Sequence, residues 1–179
     1  YVIHGDLLQE EMNELYNHPK VKCMINITKG EGFGRPLLEF TQTKKPIIAS
    51  GWSGHTDFLN NGMSVLLPGT LGDMHPSARN NWFVEGAKWF DVDTMSLGRT
   101  LKDTYKKYKS YLPGAREQAK DSKINFSFNK MKEKIDFILT ENVPEFPKQV
   151  KLNLPKLNKV GGNDKLKLPK LNLPKLEKV

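Results

Sequence analysis

Val21-Lys22-Cys23-Met24-Ile25-Asn26-Ile27 and, after a short gap, Gly30-Glu31-Gly32-Phe33-Gly34-Arg35-Pro36-Leu37-Leu38-Glu39-Phe40 form the stretch that decides the fold. The first run is apolar and β-branched at the length of a strand. In the second, Pro36 is expected at the first helical position, where its fixed φ is pre-set and its missing donor costs nothing. Leu37, Leu38 and Phe40 then begin an apolar face. The order is strand, glycine loop, helix. Such a junction aims unpaired N–H groups and the positive end of the helix dipole at one point, which suits a phosphate. Gly32 and Gly34 let a ligand approach the backbone closely.

Glu31 and Glu39 stand eight positions apart around this junction. Two carboxylates touching a phosphate would repel it, so they are expected to face neutral hydroxyls on either side, each offering two acceptor oxygens to a vicinal diol. At a helical rise they would lie roughly 12 Å apart. That is too long for a retaining glycosidase pair and long even for an inverting one. A sugar diphosphonucleoside has diols at both ends and phosphates between them. The competing account is a plain strand-to-helix turn with Glu39 on a solvated face.

Working outward, a strand over 1–4 leads through Gly5-Asp6 to a helix over Leu8–Tyr16, then a strand over 21–27, the glycine loop, a helix over 36–43, and strands over 46–50 and 64–67. Strands separated by short helices imply crossover connections and a parallel sheet. Ligands bind beyond the carboxyl ends of such strands, where the loops at Gly5, 29–35 and 51–55 are expected to gather. From Asp93 the pattern becomes helical. Leu97, Leu101, Thr104, Tyr105, Tyr108 and Leu112 form one stripe. Phe128, Met131, Ile135, Ile138 and Leu139 form another. Both are read as core, with Asp93 and Ser127 as N-caps.

Gly30-Glu31-Gly32-Phe33-Gly34-Arg35-Pro36-Leu37-Leu38-Glu39-Phe40, followed by Pro46-Ile47-Ile48-Ala49-Ser50, Gly54-His55-Thr56-Asp57-Phe58 and Asn61-Gly62-Met63-Ser64-Val65-Leu66-Leu67-Pro68, resembles the donor-binding half of retaining GT-B glycosyltransferases, the glycogen-synthase-like and mannosyltransferase-like group. The resemblance covers about residues 1–140 and rests on the joined motifs, since a Glu-x7-Glu spacing alone is common. It implies a Rossmann-like parallel sheet flanked by helices, the C-terminal half of a GT-B fold, and an N-terminal GT-B domain outside this sequence. A catalytic role falls to Glu31, on the transferred sugar. Glu39 would hold the ribose hydroxyls, with backbone around Gly32, Phe33, Gly34 and Arg35 near the sugar and diphosphate. Gly5 and His55 join them as donor contacts, and residues 127–141 are expected to reach the absent domain. The nucleotide sugar is then a substrate, and no cofactor is implied.

Two other functions stay open: a catalytically silent relative acting as an adaptor, and a GT-B phosphorylase or epimerase, for which no lysine marks a pyridoxal site. The acceptor is unknown from these residues. Arg35 either helps to neutralise phosphate or stays solvated, and Asp57 either reaches the cleft or caps a helical turn. Asp91-Val92-Asp93 has the spacing of a metal-binding Asp-x-Asp pair, but capping by Asp93 explains it more simply. His4, His18, His55 and His75 show no metal-site spacing, so no metal is expected.

At 179 residues the chain can bury one sizeable core. The net charge of +8 is uneven: from Glu145 on there are nine lysines against three acids, leaving +2 for the first 144 residues. A nearly neutral core argues against a nucleic-acid face. Cys23 is the sole cysteine, so no disulfide can form within the chain, in keeping with a cytoplasmic location. The mean hydropathy of −0.56 suits a soluble protein. The division expected is a partial nucleotide-sugar-binding domain over 1–142 and an extended or disordered tail over 143–179. There, Leu152-Asn153-Leu154-Pro155-Lys156-Leu157 recurs as Leu166-Lys167-Leu168-Pro169-Lys170-Leu171 and Leu171-Asn172-Leu173-Pro174-Lys175-Leu176. Recurrent prolines bar a helix and interrupt a ladder. This tail is read either as a docking strip for an acidic partner or membrane surface, or as a solubilising extension.

Overall fold

β1 (Met24–Asn26), β2 (Ile47–Ser50) and β3 (Val65–Leu67) run parallel in that spatial order, with Met24 opposite Ile47 and Ile48 opposite Val65. The computed structural model describes residues 2–144 apart from 61, 79 and 81. All of them but Pro144 belong to a unit running from Tyr1 to Val143. The repeat tail lies outside the described residues from 145 on. Helices flank the sheet: α1 (Gln9–Asn17), α2 (Arg35–Thr41), α3 (Thr94–Lys106), α4 (Tyr108–Asn125) and α5 (Phe128–Asn142). The protein is thus a mixed α/β fold with a three-stranded parallel sheet.

The core forms on the α2 side of that sheet. Leu37 and Phe40 of α2 meet Ile47 and Ala49 of β2, with Phe58 and Leu59 from the following turn. All four residues of β2 are buried, as expected of a central parallel strand covered on both faces. α4 closes the layer with a small, polar face: Ala115, Gln118, Ala119 and Ser122 are buried. Gln118 lies inside a complete network. Its Oε1 accepts from Asn60 N at 2.9 Å and Ser64 Oγ at 3.2 Å, and its Nε2 donates to Phe58 O at 2.6 Å. A buried amide satisfied this way fixes α4 in one register, because any slide would strand donors and acceptors away from water.

Several expectations need correction. Residues 2–4 form no strand, and Val2 is 94% exposed. A short lone segment with no neighbour to complete a ladder leaves its backbone groups to water. The strand expected over 21–27 is shorter because its ladder starts opposite Ile47, Pro46 having no N–H to donate, and ends where Thr28 N turns back to Asn26 Oδ1 at 3.1 Å. Pro36 occupies the second helical position, since Gly34 caps α2 and Arg35 begins it.

A hairpin absent from the sequence reading, β4 (Gly69–Asp73) with β5 (Lys88–Val92), pairs antiparallel after β3. Asp91 is therefore a strand residue, ion-paired with Lys29. Asp93 is the cap of α3, its carboxylate accepting from Met95 N at 3.2 Å and Ser96 N at 3.1 Å. Hydrogen bonds from the Ser96 hydroxyl and the Met95 amide hold its carboxyl below the usual range. Ser127 caps α5, accepting from Lys130 N. The helical stripe from Leu97 to Leu112 is interrupted at Lys107, which leaves helical geometry between α3 and α4. The first stripe is core only in part, Thr104 being buried while Tyr105 is 90% exposed, and the second is not core, since no residue of α5 is buried.

Candidate functional site

Two loops leave the carboxyl ends of neighbouring strands and lock together. Residues 27–34 follow β1, and 51–57 follow β2. Ser53 Oγ donates to Glu31 O at 2.6 Å and accepts from Glu31 N at 2.9 Å. Gly54 N also donates to Glu31 O, at 3.1 Å. A Cβ on Gly54 would overlap the Gly32 carbonyl oxygen, so only glycine lets the loops close. Gly34 has φ +83, and a Cβ there would come within 2.9 Å of His55 Cβ. Both glycines are therefore required by contact, and Gly34 by backbone conformation as well.

Ser53 itself has φ +88 and ψ −174, a region that side chains rarely enter. Holding it there costs about 1–3 kcal/mol, which the surrounding bonds must offset. A third element braces the same loop from outside. Phe90 N of β5 donates to Lys29 O at 3.0 Å, and the Phe90 ring stacks on Trp52 with centroids 6.0 Å apart. Phe33 is tied down too, its ring 5.2 Å from that of Phe58 and 6.3 Å from that of Phe126.

Amid these bonds, the amides of Gly32, Phe33, Gly34 and Arg35 take no hydrogen-bond acceptor among the described residues. The first α2 amide to be bonded is that of Leu37, which donates to Gly34 O. Three polar side-chain atoms at the same rim are buried without a partner: Thr28 Oγ1, Ser50 Oγ and His55 Nδ1. His55 is fully buried, and its Nε2 donates to Ser50 O at 2.6 Å.

The structure brings the sequence-read residues together unevenly. Glu31, Gly32, Phe33, Gly34 and His55 share the locked loops. Glu31 Oε1 faces Asn26 Nδ2 at 3.3 Å. Arg35 turns along its own helix to Glu39, with Nε 2.8 Å from Oε1. Glu39 borders a cavity of about 290 Å³ with Leu38, Gln42, Lys123 and Phe126, which Glu31 does not line. The two carboxylates thus face different surroundings, Glu31 at the start of the glycine turn and Glu39 within α2. Nothing packs against Gly5 within 4 Å of where its Cβ would be. Asp57 ends a short 3-10 turn, Gly54–Asp57.

Sequence reading missed Ser53, whose left-handed backbone leaves no trace in residue type. It also missed Tyr16, which packs edge-on against Phe40 at 5.4 Å. Burial and then the Glu39 carboxylate push the Tyr16 phenol up, with Arg35 pulling it back, which places the phenol in Glu39's field. Another cavity, of about 350 Å³, is lined by Lys22, Cys23, Ile25, Ile48, Thr104 and Tyr108. Burial there pushes the Cys23 thiol up to about 11, the mark of an inert thiol. Among the described residues no group of His, Cys, Asp or Glu side chains could hold a metal ion, and no helix is long and apolar enough to cross a membrane. Comparison of the chain with protein-family models, with curated proteins and with solved structures finds no match.

Proposed function

We propose that this chain is the donor-binding half of a retaining GT-B glycosyltransferase, seating a nucleotide sugar at the carboxyl rim of the parallel sheet. The observation that carries the reading is the run of amides 32–35, without acceptors among the described residues, directly after Glu31, whose own N–H and C=O are both bonded. Successive donors held in place without acceptors form a preorganised cradle for an anion, and their alignment costs nothing when the ligand arrives.

The carboxylates suit the two uncharged ends of such a ligand. Glu31, at the start of the glycine turn, would accept from hydroxyls of the sugar. Glu39 lies along α2 beside Tyr16, where a ribose diol would meet it. Its pair with Arg35 is exposed on both partners. An exposed pair at that spacing is worth about 0.3–0.5 kcal/mol. A ribose hydroxyl can therefore share or displace Arg35 at little cost, and the freed guanidinium stays close enough to draw a phosphate.

In the resembled enzymes the leaving diphosphate helps to deprotonate the acceptor, so this half supplies orientation and charge stabilisation and needs no nucleophile of its own. The acceptor and the facing domain would come from the other half of a cytoplasmic enzyme.

Isothermal titration of the intact protein with UDP-, GDP- and ADP-sugars tests the reading. One of the three is expected to bind, with Glu39→Ala weakening the nucleotide and Glu31→Ala mainly impairing sugar recognition and turnover. Equal effects of both substitutions on the free nucleoside diphosphate would contradict the division of roles. Binding by none of the donors would favour the adaptor instead.

A further inference from the structure

We infer that Ser53 is the positioning residue of the glycine loop, its hydroxyl setting the direction in which Glu31 and the free amides of 32–35 face. The inference rests on the donor-seat reading and extends it to a residue that touches no ligand.

One hydroxyl satisfies both backbone groups of a single residue here. Ser53 Oγ accepts from Glu31 N and donates to Glu31 O, using its one proton and one of its lone pairs. Glu31 O takes a second bond from Gly54 N. The peptide groups on both sides of Glu31 are thereby fixed, and Glu31 is the residue from which the glycine turn starts. Gly32 and Gly34 have wide conformational freedom of their own, so the direction of the following amides is set where the chain enters the turn.

The backbone of Ser53 supplies the second line of support. At φ +88 and ψ −174 it occupies a region natural to glycine, in a segment already holding Gly51 and Gly54. Glycine would sit there without strain, but it would leave Glu31 N without a partner and Glu31 O with one bond fewer. A side chain in a glycine conformation, with both of its bonds directed at one residue of the neighbouring loop, is strain held for placement rather than for stability.

The same geometry separates the two effects experimentally. Ser53→Gly removes the hydroxyl and relieves the backbone; Ser53→Ala removes the hydroxyl and keeps the strain. In the intact protein, Ser53→Gly should keep the wild-type Tm or raise it, while hydrogen exchange of the Glu31 amide accelerates by about tenfold, as for one lost hydrogen bond. Affinity for the nucleotide sugar that the wild type binds should fall by a similar factor. The free nucleoside diphosphate, whose phosphates use the same amides, should lose affinity by a comparable factor. Ser53→Ala should show the same exchange and affinity changes with a lower Tm.

Unchanged exchange of the Glu31 amide in Ser53→Gly would overturn the inference. So would accelerated exchange with unaltered affinity, or a joint fall of Tm, protection and affinity in both variants, which would make Ser53 only a stabilising residue. If exchange accelerates but the wild type binds none of the UDP-, GDP- and ADP-sugars, the pin stands and the donor reading fails.

Discussion

Between Thr28 and Asp57 the two rim loops hold each other: Ser53 binds both backbone groups of Glu31, Gly54 seats against Gly32, and His55 lies under Gly34. Between Phe128 and Asn142, α5 repeats apolar residues at helical spacing, yet none of its side chains is buried. The rim is held by close backbone contacts; α5 has many apolar groups but buries none, its cap and light contact with α4 being what hold it. Apolar periodicity says that a helix exists and which of its faces could be covered, whereas close backbone contact says where a segment must lie.

The largest effect is expected in the core that supports the rim. Phe40 is 1% exposed and packs against Tyr16. Phe40→Ala should cost about 3–5 kcal/mol in denaturant unfolding, the usual range for emptying an aromatic site. The matching change on the other region, Ile135→Ala, should stay within about 0.5 kcal/mol, as for a surface position. A cost near that of Phe40→Ala would break the comparison, because it would mean that the α5 stripe is covered in the protein.

Gly54→Ala should come next. Its methyl collides with backbone rather than with a side chain that could swing away, so about 1–3 kcal/mol of stability should be lost as the loops part, the range for overpacking. Nucleotide-sugar affinity should fall with it. An unchanged melting temperature would show that the loops are not locked.

Cys23 gives the smallest effect. Burial raises its thiol to about 11, so the folded chain holds this proton more tightly than the unfolded one. Its contribution is full below the ordinary thiol value and disappears as pH rises through about 11. Stability measured against pH should fall across that window in the wild type and less in Cys23→Ala, and alkylation near about pH 8 should be slow. Rapid alkylation there would show the thiol to be more open than its surroundings suggest.

The parallel α/β order was legible because each of its signals is local: β-branched runs, glycines at the turn and Pro36 near the start of α2. The strand at 1–4 was misread because a strand exists only with a partner, and partners are set by topology rather than by residue type. The β4–β5 hairpin escaped notice because Gly69-Thr70-Leu71-Gly72-Asp73 lacks a strand's apolar alternation. It forms by pairing with Lys88–Val92 across a long connection. α4 was invisible as a core helix for a similar reason, since it buries alanines, a serine and Gln118 through specific hydrogen bonds that no hydropathy pattern records. At the candidate site, the need for glycine at 34 could be read from the strand–turn–helix pattern. Ser53 could not, because its role lies in a backbone angle.

The central claim is that the amides of 32–35 form the seat for the donor's phosphates. Amide NMR spectra of the intact protein, recorded while UDP-, GDP- and ADP-sugars are added, test it most directly. One donor should move the signals of Gly32, Phe33, Gly34 and Arg35 together and further than any others, and Glu39→Ala should shift that titration to higher donor concentration. Signals at 32–35 that stay in place with every donor, or larger shifts around Tyr105 and Tyr108, would contradict the account.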